Sequence, residues 1–253
     1  MNIVTICDLD GWMQTHLARW VYLAKQTMPD ADLHLVVPVD DGTDHEVLAA
    51  FASRADKYFV QVKFVPKVDM TGRLLYYDRM RAGLPNLLGL DEMLYADPDI
   101  DFRASVESLQ TFKPDKKLLW VANPVELRDI RPGLKAIGRV DNDPLVEEGF
   151  LYLRGDLLRD FDEVLTTKPV DRTCMAPGMI VWTELSRRSY AARMPDEYNT
   201  TMRAHLLRIL DARTLHFTGN TKKQRPHYSY EGYAEHKLTL NRSANWYQDT
   251  VVM

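Results

Sequence analysis

The sequence predicts an α/β fold, with a mainly parallel central sheet flanked by helices in a single compact domain. Apolar, often β-branched runs alternate with segments whose apolar residues recur at helical spacing. That order is typical of a parallel sheet with right-handed crossovers. The 253 residues are enough for one such domain with a full core. No stretch rich in Gly, Ser or Pro divides the chain into two units.

Strand and helix signals are clearest up to residue 101. Ile3–Cys7 is an apolar run that ends at an Asp-Leu-Asp-Gly turn, and apolar residues at helical spacing then predict a helix from Trp12 to Thr27. The alternation continues to Ala96. It predicts strands over Leu33–Val39, Tyr58–Val65 and Glu92–Ala96, and helices over His45–Arg54 and Leu74–Leu88.

The second half of the chain is less regular. The apolar run Gly178–Trp182 is compatible with a strand or a helix, and a polar, aromatic tail follows from Lys222. The other segments predict strands over Lys117–Ala122, Gly149–Leu153 and Thr214–Phe217, and helices over Asp156–Leu165 and Met202–Asp211. We therefore expect one domain over 1–253, with halves 1–101 and 102–223 and a tail 224–253.

The composition excludes several classes of protein. With 45% hydrophobic and 27% charged residues, the chain is not collagen-like, disordered or a disulfide scaffold. No apolar stretch approaches the roughly 18 residues of a membrane span, and the N-terminus lacks the basic region of a signal peptide. Cys7 and Cys174 are predicted to be free thiols in a reducing compartment, so we expect a cytoplasmic protein.

The net charge of −4 averages two opposite regions. Residues 29–101 hold 14 acidic and 7 basic side chains, whereas residues 202–242 hold 8 basic and 3 acidic side chains and four of the seven histidines. One interpretation is a random scatter over solvated faces. The other is an acidic edge that holds a cation beside a basic edge that holds an anion. Neither provides a global basic field for nucleic acid.

Aspartates follow several predicted strands, and ligands of parallel sheets bind beyond those carboxyl ends. The segment Leu94–Asp99 (Leu-Tyr-Ala-Asp-Pro-Asp) places Asp97 and Asp99 at the end of a buried strand. Two carboxylates so close together provide oxygen ligands for Mg²⁺ or Mn²⁺. A solvated Asp-Pro turn is the alternative interpretation, and Asp101 offers an alternative pair with Asp99.

A second candidate motif begins at the last predicted strand. His216 is followed by Gly219 and Lys222 in a His-x-x-Gly-x-x-Lys pattern. Glycine permits close backbone approach, and lysine is a compact cation for phosphate. A neutral imidazole joined to two carboxylates suits Mn²⁺. The alternative is a half-buried strand histidine beside a solvated basic loop.

Together the two motifs resemble those of family-8-type glycosyltransferases with the GT-A fold, a group that includes glycogenin and bacterial lipooligosaccharide galactosyltransferases. In that family a hydrophobic-Tyr-x-Asp-x-Asp motif and a C-terminal His-x-x-Gly-x-x-Lys motif hold Mn²⁺ and the diphosphate of a nucleotide sugar. The resemblance covers residues 2–223. It implies a Rossmann-like, mixed and mainly parallel sheet.

The resemblance also implies a set of ligands. Asp97, Asp99 and His216 would hold Mn²⁺ or Mg²⁺, and Gly219 and Lys222 would contact the donor diphosphate. The donor is expected to be a nucleotide-diphosphate sugar, most simply a UDP-sugar. Transfer is expected to retain the anomeric configuration.

Weaker matches assign further residues. Thr5 and Asp8 are placed for base and ribose contacts, although a strand-end turn also explains them. Arg79 lies in a segment similar to the Arg-bearing helix of the family, where it would contact the phosphates or the donor sugar; a solvated helix arginine is the alternative. Glu148 and Asp171 are the candidate acids near the anomeric carbon, and a surface acid is the alternative for each.

The sequence departs from the family on the sugar and acceptor side. The family's Asn-Ser/Ala-Gly, Asp-Gln and Lys-Pro-Trp motifs are replaced by Glu147–Gly149, by Asp171–Arg172 or Asp196–Glu197, and by Lys222–Pro226. The metal and diphosphate motifs are kept. Donor and acceptor identity are therefore decided where the family pattern is lost.

The acceptor and two rival functions stay open. We expect a saccharide or protein acceptor, and the basic C-terminal region also permits a nucleic-acid acceptor such as a modified DNA base. A nucleotidyltransferase would use acid-bound Mg²⁺ on a similar sheet, but it normally has a Gly-rich loop after the first strand, where this chain has one glycine. A non-catalytic nucleotide-sugar-binding module is compatible with the altered segment Glu147–Gly149.

Overall fold

The computed structural model describes residues 1–9, 11–68, 70, 75–123, 131–138, 144–174, 176–201 and 206–217, over which strands alternate with helices. The strands are β1 (Asn2–Ile6), β2 (Asp32–Val39), β3 (Gln61–Pro66), β4 (Glu92–Ala96), β5 (Ile100–Phe102), β6 (Leu118–Asn123), β7 (Leu145–Arg154), β8 (Ala191–Arg193), β9 (Thr200–Thr201) and β10 (Thr214–His216). The helices are α1 (Gly11–Thr27), α2 (His45–Ala55), α3 (Leu75–Leu88), α4 (Arg131–Ala136), α5 (Leu158–Thr167), α6 (Pro177–Leu185) and α7 (Leu206–Asp211).

Seven strands form the central sheet, in the order β3-β2-β1-β4-β7-β6-β8. Neighbouring strands are parallel except at β7, which runs antiparallel to both β4 and β6. In the centre, Ile3 of β1 lies opposite Leu33 of β2 and Leu94 of β4. The predicted fold, a mixed and mainly parallel sheet flanked by helices in one domain, is confirmed.

A smaller sheet has the order β5-β10-β9. In it β10 is antiparallel to β5 and parallel to β9. The segment that follows β4 turns at Asp97, where the N–H of Ile100 donates to the Asp97 carbonyl at 3.0 Å, and β5 begins there. Since His216 of β10 lies opposite Ile100, this small sheet carries His216 to the end of β4.

Helices cover both faces of the central sheet. On one face the fully buried Trp20 of α1 packs against Phe59 and Phe102, with ring centroids 6.3 and 5.6 Å apart. On the other face Trp182 of α6 packs edge-on against Phe161 of α5 at 5.5 Å. Successive residues of β1 contribute to the two cores in turn, as the period of two along a strand requires.

Helix starts follow local capping chemistry. The Asp44 carboxylate accepts a hydrogen bond from the N–H of Glu46 at 2.8 Å, at the start of α2. At the start of α5, Asp156 accepts from the N–H of Leu158 at 2.7 Å. These carboxylates satisfy N–H groups that have no partner within the helix. The turns that precede both helices are therefore encoded locally.

The structure differs from the sequence prediction where the pattern is short or uniform. Strands β5, β8 and β9 and helix α4 are not predicted, because two to six residues are too few to show a period. The ambiguous run Gly178–Trp182 belongs to α6, in which every residue is buried, so no amphipathic pattern marks the helix. Strand β7 begins at Leu145 rather than Gly149, because Glu147 and Glu148 interrupt its apolar pattern.

A buried ion pair joins α1 to β5. The side chains of Arg19 and Asp101 are each 2% exposed. Arg19 Nε and Nη2 donate to the two carboxylate oxygens of Asp101 at 2.6 to 2.9 Å. Asp101 is thereby committed to α1, and the acidic pair at the end of β4 is Asp97 with Asp99.

The two cysteines, Cys7 and Cys174, are both buried, and no disulfide joins them. None of the helices in the described ranges has the length and the apolar content needed to cross a membrane. The predicted tail, 224–253, lies outside the described residues.

Replacing Arg19 by Met removes the cation that neutralises Asp101 inside the core. We expect Arg19→Met to lower the free energy of unfolding by about 3–5 kcal/mol, because a buried carboxylate loses its counter-charge. The double variant Arg19→Met/Asp101→Leu should recover most of the loss, since both charges leave together. Urea unfolding followed by circular dichroism measures both changes.

Arg188→Ala is the control for this pair. Arg188 and its partner Glu163 are 37% and 50% exposed. Exposed pairs contribute at most about 1 kcal/mol. An Arg19→Met variant no less stable than Arg188→Ala would contradict the anchoring role of the buried pair.

Candidate active site

Three side chains selected from the sequence as metal ligands meet at the end of β4. One ligand atom from each of Asp97, Asp99 and His216 lies within 4.8 Å of the other two. His216 Nε2 is 3.2 Å from Asp99 Oδ1 and 3.9 Å from Asp97 Oδ2. The side chains of Asp99 and His216 are almost fully buried, whereas Asp97 is 21% exposed. The cluster therefore opens to solvent on the side of Asp97.

Backbone hydrogen bonds hold the cluster together. The N–H of Asp97 donates to the carbonyl of Gly149 in β7 at 2.8 Å. The N–H of Phe217 donates to the carbonyl of Asp99 at 3.1 Å. The end of β4 is thus tied to both β7 and the residue after β10, so the ligand atoms are placed by three separate parts of the chain.

The orientation of the Asp97 carboxylate is determined by two donors. Arg81 Nη2 donates to Asp97 Oδ1 at 3.0 Å, and the Tyr95 hydroxyl donates to the same oxygen. Burial raises the pKa of the Tyr95 hydroxyl well above its usual value, so the group stays protonated and able to donate. The Arg81 guanidinium also lies 4.9 Å from the centre of the Tyr95 ring. Asp97 Oδ2 is left facing His216.

Gly149 makes room for the cluster. A Cβ atom added to Gly149 would lie 2.5 Å from His216 Cε1 and 2.7 Å from Asp97 Oδ2. Both distances are shorter than real contacts of Cβ atoms. The cluster therefore requires glycine at this position for lack of space, and not for backbone conformation.

Two glutamates precede Gly149 in β7. Glu147 is buried, and its Oε1 lies 3.4 Å from His216 Nδ1. Burial lowers the pKa of His216, but the charges of Asp99 and Glu147 outweigh it and raise that pKa well above its usual value. Glu148 is half-buried, and its Oε2 is buried without a hydrogen-bond partner in the described part of the chain. Burial, followed by the charges of Glu147 and Asp78, raises the pKa of Glu148 well above its usual value.

The other predicted acid, Asp171, lies in the loop between α5 and α6. Its side chain is exposed and accepts hydrogen bonds from the Thr173 hydroxyl at 2.7 Å and the Thr173 N–H at 2.9 Å. These two bonds lower the pKa of Asp171. Asp171 acts in this structure as a local turn acceptor.

Among the described residues, Arg81 is an arginine that contacts the cluster. The predicted residue, Arg79, instead forms a bidentate pair with Asp162 of α5 at 2.8 and 2.7 Å. Arg81 bridges Asp97 and the buried Asp78, from which it lies 2.7 Å. The two arginines are two positions apart on α3 and so project from different sides of the helix.

The predicted nucleoside contacts occupy different environments. Asp8 follows β1, accepts a hydrogen bond from the Tyr77 hydroxyl, and has its Oδ1 4.0 Å from Lys67 Nζ. Lys67 also bonds to Asp40 after β2 at 2.9 Å. Thr5 is fully buried inside β1, and over the described ranges its hydroxyl has no hydrogen-bond partner.

Sequence reasoning missed three contributors to this site. The sequence does contain a signal for Glu147, because it lies two residues before Gly149 and residues two apart in a strand share one face of the sheet. The contacts of Tyr95 and Arg81 with Asp97 depend on how β4 packs against α3, which the sequence alone does not show. Gly219 and Lys222 lie outside the described residues.

Comparison with known proteins yields similarity to solved structures only. No protein-family model and no curated protein matches the sequence. The galactosyltransferase LgtC, solved in complex with donor and acceptor sugar analogues, is similar over 93% of this chain and 94% of its own, with a TM-score of 0.61 and 18% identity.

Two further glycosyltransferases have similar structures. Mouse xyloside xylosyltransferase 1 matches 87% of this chain and 99% of its own, with a TM-score of 0.55 and 10% identity. GlyE of Streptococcus pneumoniae matches 96% of this chain and 63% of its own, with a TM-score of 0.57 and 12% identity. At these identities the likeness is one of fold, and the chain has the GT-A fold of these glycosyltransferases.

Proposed function

We propose that the protein is a family-8-type, metal-dependent glycosyltransferase that moves a sugar from a nucleotide-diphosphate sugar to an acceptor hydroxyl with retention of configuration. The observation that carries this proposal is the convergence of Asp97, Asp99 and His216 at the end of β4. Ligands of mainly parallel sheets bind beyond the carboxyl ends of the strands. The similarity to galactosyl- and xylosyltransferases supports the same class of reaction.

The proposed metal is Mn²⁺ or Mg²⁺. Asp97, Asp99 and His216 offer carboxylate oxygens and one imidazole nitrogen, a donor set that suits Mn²⁺ and to a lesser degree Mg²⁺. Such an ion would neutralise the charge that develops on the departing diphosphate. Arg81 and the Tyr95 hydroxyl both donate hydrogen bonds to Asp97 Oδ1, which keeps Oδ2 directed at the cluster where the ion would bind.

The donor diphosphate is proposed to contact Gly219 and Lys222, as the family resemblance implies. Arg79 keeps its proposed donor role only if its ion pair with Asp162 opens. Arg81 is better placed, because it already lies 3.0 Å from Asp97. We add Arg81 to the proposed contacts of the phosphates or the donor sugar.

The nucleoside is proposed to bind at the carboxyl ends of β1 and β2. Asp8 offers a carboxylate for ribose hydroxyls, and the rings of Tyr76 and Tyr77, whose centres are 3.9 Å apart, offer aromatic surface for a base. Thr5 stays a proposed base contact from inside β1. A UDP-sugar is the proposed donor.

Of the two proposed acids near the anomeric carbon, Glu148 has the stronger support. It directly precedes Gly149 in β7, it interacts electrostatically with Arg81, which contacts Asp97, and its Oε2 is buried without a hydrogen-bond partner in the described ranges. Asp171 is exposed, and its Oδ1 already accepts two hydrogen bonds from Thr173. A carboxyl group with a raised pKa beside the reacting bond is a group that enzymes use for proton transfer.

The proposed acceptor is a saccharide or a protein, with a nucleic-acid acceptor as the alternative, and the proposed location is the cytoplasm. Buried thiols at Cys7 and Cys174 are in keeping with a reducing compartment. A binding module without turnover is the second candidate function. It is favoured by the same departure, Glu147 and Glu148, that distinguishes this chain from the family.

Asp99→Ala tests the metal-dependent reaction. With a UDP-sugar and Mn²⁺, the wild-type protein should release UDP slowly even without an acceptor. Asp99→Ala should lower this rate by roughly 100-fold or more, because it removes a direct ligand, and loss of a group that only hydrogen-bonds to a ligand already costs about 10- to 100-fold. A coupled assay for UDP measures the rate, with Asp115→Ala as the matched control since Asp115 is exposed.

Three results would contradict the proposed reaction. Full Mn²⁺-dependent turnover by Asp99→Ala would remove the metal assignment. Stabilisation of the wild type by UDP-, GDP- or CDP-sugars without any turnover would favour the binding module. Stabilisation by nucleoside triphosphates alone would favour a nucleotidyltransferase.

Gly149→Ala tests the packing of the cluster. The new methyl group would displace His216 or Asp97, so Mn²⁺ affinity should fall by about tenfold or more. Gly83→Ala is the control, because its Cβ would meet only Leu158 at an ordinary 3.5 Å. Electron paramagnetic resonance of free Mn²⁺ measures both affinities. Equal Mn²⁺ affinity in the two variants would contradict the described geometry.

A further inference from the structure

Glu147 contacts the proposed metal ligand His216 from the side opposite to the cluster. Its side chain is 5% exposed, and its Oε1 lies 3.4 Å from His216 Nδ1. The other ring nitrogen, Nε2, is the one that faces Asp99 at 3.2 Å. The imidazole therefore stands between a carboxylate of β7 and the acidic pair at the end of β4.

This arrangement has a chemical consequence for a metal-bound histidine. A histidine that gives Nε2 to a cation carries its proton on Nδ1, and that N–H needs an acceptor when it is buried. Over the described residues, Nδ1 is buried and makes no hydrogen bond of good geometry. The Glu147 carboxylate lies 3.4 Å from it in an ion-pair contact, within reach as the acceptor of a proton on Nδ1. A carboxylate in this position determines both the tautomer and the ring orientation of the histidine.

Glu147 is itself held in place. The N–H of Gly149 donates to Glu147 Oε1 at 3.4 Å, so the carboxylate is tied to the residue that packs against the cluster. Glu147 Oε2 is buried and has no hydrogen-bond partner over the described ranges. Because Oε1 faces Nδ1, Glu147 lies on the wrong side of the ring to bind the same cation as Nε2.

We propose that Glu147 is a positioning residue that accepts the Nδ1 proton of His216 and thereby directs Nε2 toward the metal. This inference rests on the proposed role of His216 as a metal ligand. It assigns a role to one of the two glutamates by which the chain departs from the Asn-Ser/Ala-Gly pattern of the family it resembles.

Direct Mn²⁺ binding to the whole protein without donor tests this role. Removing the acceptor in Glu147→Ala should weaken Mn²⁺ binding by about 10- to 100-fold, as loss of a group that orients a metal ligand does. Glu147→Gln keeps an oxygen acceptor for Nδ1, so its affinity should lie within about threefold of the wild type. Glu184→Gln is the matched control, since Glu184 is a buried carboxylate at the end of α6 that pairs with Lys168 and Arg187.

The pair of Glu147 variants distinguishes positioning from charge. If Glu147 acted only through its negative charge, Glu147→Gln would lose as much affinity as Glu147→Ala, and the proposal would be overturned. Wild-type affinity in Glu147→Ala would overturn it as well. If the wild-type protein binds no Mn²⁺, the proposed metal function fails together with this inference; if only the Glu147 variants behave unexpectedly, the metal function stands.

A second measurement needs no variant to fold. In the wild-type protein loaded with diamagnetic Zn²⁺, long-range ¹H–¹⁵N spectra of the imidazole should place the proton of His216 on Nδ1 and the metal on Nε2. A proton on Nε2 with the metal on Nδ1 would overturn the proposal.

Discussion

The antiparallel pairing of β5 with β10 is the constraint on which the candidate site depends. Asp97 and Asp99 are neighbours in sequence, but His216 comes from the far end of the described chain. The register that places His216 opposite Ile100 brings its imidazole within 3.2 Å of Asp99. The buried pair of Arg19 with Asp101 holds β5 against α1. Because β5 pairs with β10, the packing of the core also helps to set the geometry of the cluster.

The cluster also concentrates negative charge, which the guanidinium of Arg81 partly neutralises. Arg81 lies between Asp78 and Asp97 at 2.7 and 3.0 Å, and its guanidinium packs on the Tyr95 ring. Burial, which Arg81 only partly offsets, raises the pKa of the Asp78 carboxyl. On the proposed function, a divalent cation bound at the cluster supplies the remaining positive charge that a mostly buried pair of carboxylates requires.

Much of the fold, and the position of Asp97 and Asp99 at the end of a strand, can be predicted from the sequence. Apolar runs that end in aspartate predict both the parallel strands and the edge at which Asp97 and Asp99 lie. What could not be predicted depends on orientation. Arg79 and Arg81 are two positions apart on one helix, and only the packing of α3 on β4 decides which of them faces the site.

The start of β7 could not be predicted from the sequence for a related reason. Glu147 and Glu148 interrupt an apolar strand pattern. Two consecutive charged residues are more typical of a loop than of a buried strand, unless a buried partner for them is known. Here the partner of Glu147 is His216, which the chain brings in only at its last described strand. For Arg81 and Glu147, therefore, long-range packing and not the local sequence pattern determines the environment.

On the proposed function, Asp97, Asp99 and His216 together bind a divalent cation. The sharpest test of this site is a crystal structure of the protein grown with Mn²⁺ and UDP, with data collected at the manganese absorption edge. We expect one anomalous peak bounded by Asp97, Asp99 and His216 Nε2, with the diphosphate on its open side. An ordered diphosphate with no anomalous peak among these three residues would contradict the metal assignment.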